Sequence, residues 1–214
     1  MAKLVRDQET QIKRLRSYNL VAGIAHLGQA IGMLVIINAL NAQAEFGVTA
    51  DYMAGPPGSP IPPERVDLFT VNMGYGLVGF LGLSALFHFL VITPAFFTRY
   101  KNGLLANHNY FRWTEYSLSS SIMIFLIAQL TGVTDINALV NIFGLNAAMI
   151  LFGALQEKYE KPGNRKLLPF IFGSMVGVVP SLGSSNTFKR QQIVAQGGLD
   201  EPSLNDLLRD HHAA

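Results

Sequence analysis

Half of the 214 residues are apolar and only 14% are charged, against about 25% in an average soluble domain. That composition excludes a disordered chain, and the absence of cysteine excludes a disulfide scaffold or a thiolate metal site. Sixteen Lys and Arg against fourteen Asp and Glu, a net charge of +2, leave no footprint for nucleic acid.

Residues 1–17 read as an amphipathic, cytoplasmic leader carrying Lys3, Arg6, Lys13, Arg14 and Arg16. A first span follows over 18–40, a stretch without a single charge. A helix rises about 1.5 Å per residue, so about 20 residues cross a hydrocarbon core of roughly 30 Å. Ala42-Gln43-Ala44 has the look of a signal cleavage site, but the apolar run before it exceeds the roughly 7–15 residues of a signal peptide. It also carries His26 and Gln29, so the segment is read as a retained helix.

The connection 41–70 contains Gly55-Pro56-Pro57-Gly58-Ser59-Pro60-Ile61-Pro62-Pro63. That run cannot continue a helix and reads as an external loop, a candidate lid. Further spans are expected over 71–92, 104–131, 135–156 and 167–183. The last is about 25 Å long and marginal for a crossing. Residues 184–214 read as a polar, disordered tail. The fold class expected is an all-α membrane protein, a helical bundle of about five transmembrane helices.

Lys and Arg crowd the leader, the second connection (Arg99, Lys101, with Arg112 at the helix edge) and the fourth (Lys158, Lys161, Arg165, Lys166). The first connection holds only Arg65 among four acidic residues. The positive-inside rule then places the N-terminus in the cytoplasm. Gly28 with Gly32, Gly173 with Gly177, and Gly76, Gly79 and Gly82 have the spacing of small residues at helix contacts.

Three ionisable residues fall inside expected spans: His26, His88 and Glu115. Such residues are costly in lipid and tend to face protein or water. With the N-terminus inside, all three fall in the cytoplasmic half and can converge on one polar cavity. Residues i and i+4 share a helix face, which stacks Glu115 with Ser119 and Tyr116 with Ser120. Two readings of Glu115 stand side by side: a shallow interfacial residue paired with Arg112, or a buried carboxylate supported by hydroxyls. For the histidines and for Asn146, packing and an inter-helix hydrogen bond are the simpler readings. No metal-ligand spacing, nucleophile elbow, Walker loop or dinucleotide fingerprint appears, so no enzyme is expected.

Several stretches together resemble the heliorhodopsins, a family of retinal-binding membrane proteins with a cytoplasmic N-terminus. They are Asn19-Leu-Val-Ala-Gly-Ile-Ala-His26, Gly55-Pro-Pro-Gly58, Phe80-Leu-Gly-Leu-Ser-Ala-Leu-Phe-His-Phe89, Arg112-Trp-Thr-Glu-Tyr-Ser-Leu-Ser-Ser-Ser121, and the run from Ile142 to Lys158. The resemblance covers roughly residues 15–180. It implies a rhodopsin-like bundle with retinal as cofactor and Glu115 facing inward as the Schiff-base counterion. It further implies a pocket that includes His26, Ser84, His88, Trp113, Tyr116, Ser119, Ser120, Asn146 and Met149. It also implies light sensing, signalling through an unidentified partner rather than ion pumping, a homodimer, and a place in the cell membrane among its lipids.

The family has seven helices with its retinal lysine on the seventh. Here the resemblance stops near Pro180. The lysines are Lys3, Lys13, Lys101, Lys158, Lys161, Lys166 and Lys189, none inside an expected span. Covalent attachment in the usual manner is therefore not expected. A frameshift or early stop inside an apolar helix is the expected origin of the tail. Two other readings remain open: a non-photochemical five-helix membrane protein that binds a retinoid, lipid or partner chain, and an ion or proton path through Glu115, His26 and His88.

Overall fold

The first helix, α1, runs unbroken from Ala2 to Leu40. No proline interrupts it, so leader and first span form one rod about 58 Å long, well beyond a hydrocarbon core of roughly 30 Å. The expected boundary between residues 17 and 18 is not a break in the backbone. The structure is a computed structural model that describes residues 2–41, 44–159 and 166–179.

The expected external loop is instead mostly a β-hairpin. Strand β1 (Glu45–Tyr52) pairs antiparallel with β2 (Glu64–Asn72), with an irregularity between Val48 and Thr49. The proline cluster forms only the connection between them. Val48, fully buried, packs with Ala128, Leu139 and Ile142. Thr49 donates its N–H to the Thr134 carbonyl at 2.8 Å. The hairpin is thus fastened over one end of the bundle. At its far end Arg65 grips Asp51 through two bonds of 2.8 and 3.0 Å. Those hydrogen bonds, more than the bare charge, hold the Asp51 carboxyl below its ordinary range.

Helix α2 spans Met73–Ile92 and is capped by Asn72, whose side chain accepts the Tyr75 N–H. Val71 and Asn72, expected at the start of this span, belong to β2. Thr93 then ends α2, and Pro94 opens a short helix, α3 (Pro94–Leu105), because proline at a first helical turn has no N–H to lose. The expected third span over 104–131 is divided here. Asn107 adopts a left-handed backbone (φ 58°), and Asn109 caps a new helix, α4 (Tyr110–Leu130), by accepting the Arg112 N–H at 3.1 Å. Helix α5 (Ile136–Tyr159) starts at the Asp135 cap. Helix α6 covers Leu168–Val179. The rest of the expected fifth span and the whole tail 184–214 lie outside the described residues.

Helix α1 packs along α2, α2 along α4, and α4 along α5. Helix α6 lies on α5 through Phe152 and Phe172, whose rings sit 6.2 Å apart. Close approach is set by glycines only in part as expected. A Cβ on Gly76 would meet Leu126 at 2.6 Å, and one on Gly153 would meet the Trp113 ring at 2.5 Å. Gly28, Gly32, Gly79 and Gly82 have nothing within 4 Å among the described residues. Their spacing matches a helix contact that these residues do not make.

Among the described residues, three helical stretches are long and apolar enough to cross a membrane: Arg14–Leu40, Met73–Ile92 and Ile136–Tyr159. Helix α4 has the length but carries Arg112, Glu115 and four serines between Arg112 and Ser121. Along α1, Leu20, Val21, Ile24, Leu27, Ile31, Leu34, Val35 and Ile36 are all exposed. A water-facing helix would bury such a stripe, whereas lipid solvates it. The molecule is an all-α membrane bundle with one β-hairpin on its end.

Candidate functional site

The first half of α4 is polar on the face turned to α2 and α5. Glu115 accepts a hydrogen bond from Ser84 Oγ of α2 at 2.6 Å, a length typical of a hydroxyl bonded to a carboxylate. Ser84 itself is buried. Arg112, one turn earlier, pairs with Glu157 of α5 at 3.4 Å and stacks over the Trp113 ring. Glu115 itself is half-buried. Arg112 is engaged elsewhere, and the carboxylate of Glu115 is turned into the bundle.

The two histidines converge as expected. His26 of α1 and His88 of α2 stack nearly parallel, 5.5 Å between ring centres. His88 Nδ1 lies 2.9 Å from Asn19 Oδ1. Across the bundle, Asn146 of α5 donates to Ser120 Oγ at 2.9 Å and to Ser121 Oγ at 3.1 Å. The inter-helix role expected for Asn146 is present, and Asn146 also reaches the cavity.

That cavity measures about 540 Å³, within the roughly 300–1,000 Å³ of ligand pockets. His26, Ser84, His88, Glu115, Tyr116, Ser119, Ser120 and Asn146 line it, together with Phe80, Met123, Ile124 and Ile127. Along α4 the lining changes from charged and hydroxylated at 115–120 to apolar at 123–127. A second cavity of about 170 Å³ shares His88, Glu115 and Tyr116 and is also lined by Asn19, Tyr100, Asn109 and Arg112.

Two expected pocket residues lie elsewhere. Trp113 packs on Gly153 and donates its indole N–H to Glu157; it braces α4 on α5. Met149 lies against α6, its sulfur filling the space where Gly177 has no side chain. Both were expected in the pocket from the family resemblance alone; the cavity stripe of α4 is 115/116, 119/120, 123/124 and 127, and Trp113 falls off it. The same spacing identifies Met123, Ile124 and Ile127, which were not singled out. Asn19 and Tyr100 were missed as site residues because nothing local in the sequence places α3 against α1.

With this geometry in hand, the comparison with known families is decisive. A family model described as Heliorhodopsin matches residues 15–194. The chain belongs to the heliorhodopsin family. The match runs past Pro180, where the resemblance was expected to stop, to residue 194. Among curated proteins, none matches the chain. Heliorhodopsins are retinal-binding, light-sensing membrane proteins rather than enzymes, and this chain shares their helical membrane architecture.

The residues fit retinal in two respects and not in a third. The cavity has room and an apolar stretch for a polyene. Glu115 turns a carboxylate to the cavity, the kind of group that a protonated Schiff base would need beside it. Among the described residues, however, no lysine lines the cavity. Lys161 and Lys189 fall outside the described residues.

Proposed function

We propose that the chain is a light-sensing retinal protein in which Glu115 holds the counter-charge and the cavity of α1, α2, α4 and α5 holds the polyene. The observation that carries this is the Glu115–Ser84 pair facing a cavity with an apolar stretch, in a chain of the heliorhodopsin family. Retinal, when bound, supplies light-driven isomerisation. The protein supplies charge and shape. Ser84 orients the carboxylate, Ser119, Ser120 and Asn146 give the cavity fixed hydroxyl and amide dipoles one turn further along, and Phe80, Met123, Ile124 and Ile127 exclude water. The end that carries Arg14, Arg16, Arg99 and Lys101 faces the cytoplasm, by the positive-inside rule. The family resemblance supports signalling as the output, through a homodimer and an unidentified partner.

A second reading rests on a specific observation. With no described lysine at the cavity, the chain binds a retinoid without a covalent link and acts as a non-photochemical binding protein. Adding all-trans retinal to the chain in membranes, then hydroxylamine, separates the two. A visible band that hydroxylamine bleaches supports the first reading and places an amine at the cavity. A bound but unshifted, hydroxylamine-indifferent retinoid supports the second. No binding at all sinks both.

A further inference from the structure

Behind the cavity, α1, α2 and α3 meet at one buried side chain, Asn19. Its amide nitrogen donates to the Leu15 carbonyl at 2.9 Å and lies 3.4 Å from the Tyr100 hydroxyl. Its oxygen lies 2.9 Å from His88 Nδ1. The direction of this carboxamide follows from its partners. A backbone carbonyl can only accept, so the nitrogen must face Leu15. Turning the amide over would set two carbonyl oxygens 2.9 Å apart. The oxygen therefore faces His88, and an oxygen acceptor requires N–H opposite it.

We propose that Asn19, held by Leu15 and Tyr100, is a positioning residue that locks neutral His88 in its Nδ1–H tautomer and so presents the Nε2 lone pair to the cavity as a proton acceptor. Which ring nitrogen of a histidine is free is set by the bond the other makes. His88 Nε2 has no hydrogen-bond partner among the described residues. The ring stacks on His26 and shares both cavities with Glu115 and Tyr116, and Tyr100 and Arg112 line the smaller one. A proton arriving from an acid in the cavity leaves its old bond and forms N–H at Nε2. The Nδ1–H bond to Asn19 stays in place and becomes charge-assisted. His88 can thus gain and lose a proton without turning its ring. Through Tyr100, the same amide ties this event to α3, the short helix at the basic end of the bundle.

The acceptor role rests on the light-sensing reading, but the tautomer does not, and the test uses the tautomer. The full chain, labelled with ring-¹⁵N histidine, is placed in lipid nanodiscs without retinal. Spectra are taken about two units above the ordinary histidine value of about 6.5. One neutral ring should show a protonated Nδ1 and a bare Nε2, and it should vanish in His88→Gln. Asn19→Leu should convert that ring to the Nε2–H form, and Asn19→Asp, which keeps an oxygen acceptor, should retain Nδ1–H. A wild-type His88 carrying its proton on Nε2 overturns the inference whether or not any variant folds. So does an unchanged tautomer in a folded Asn19→Leu protein. Neither result touches the retinal reading, which stands or falls on the visible band.

Discussion

Glu115 shows how a single neighbour decides a residue's role. The i+4 rule placed it with Ser119 on α4, and the basic Arg112 stood one turn away; both readings were physically sound from the sequence. The structure separates them because Glu157, forty-two positions on from Glu115 in the chain, takes Arg112 and the Trp113 indole, and Ser84 takes Glu115. Long-range partners of this sort leave no local pattern, so the sequence did not show that Trp113 packs on α5, that Met149 packs on α6, or that Asn19 meets His88. Asn146 carries a prediction at the same scale. Its two bonds to Ser120 and Ser121 hold α5 on α4, and inter-helix bonds in membranes contribute about 0.6–2 kcal/mol. Asn146→Leu should lower the unfolding free energy in mixed micelles by that order. A variant as stable as wild type would mean that the bonds are replaced by water.

At the scale of elements, the apolar windows located helices but not their ends. Helix α4 begins at Tyr110 because Asn107 turns left-handed and Asn109 caps, and neither event interrupts an apolar pattern. The hairpin was legible in retrospect from the alternation in Glu45–Tyr52 and Glu64–Asn72. The proline cluster between them drew the whole segment into one loop. Glycine spacing was an uneven guide to contacts, since Gly76, Gly173 and Gly177 meet a neighbouring helix and Gly28, Gly32, Gly79 and Gly82 do not among the described residues, and this makes a paired prediction. Gly153→Ala drives a methyl into the Trp113 ring, and such overpacking costs about 1–3 kcal/mol. Gly28→Ala and Gly32→Ala meet nothing within 4 Å and should leave the thermal midpoint unchanged or raise it, because alanine is the better helix former. Equal effects at all three positions would show that α1 has a partner on that face. The hairpin carries its own pH signature. Its Arg65 bonds depress the Asp51 pKa, so the stabilisation is complete above the unfolded value of about 3.9 and fades as pH falls through the lower folded value. Amide exchange in the hairpin should differ between wild type and Asp51→Asn at neutral pH and converge in strong acid.

For the whole molecule, charge and hydropathy made the membrane class evident before any fold was known, and the exposed apolar stripe of α1 agrees with it. Three of the stretches that carried the resemblance, Asn19–His26, Phe80–Phe89 and Arg112–Ser121, meet around Glu115 at the cavity. The basic end, with Arg14, Arg99 and Lys101, should prove cytoplasmic. Cysteines placed singly near Arg99 and on the hairpin should react with impermeant reagents from opposite sides of the membrane. Equal labelling from one side would contradict the topology. The central claim, that Glu115 balances charge on a bound chromophore, is tested most directly by one comparison. Wild type and Glu115→Gln are each loaded with all-trans retinal in the same membranes, and their absorption maxima are measured. The account predicts a visible band in the wild type that moves in Glu115→Gln while the helical content stays the same. Identical bands in the two proteins would contradict it.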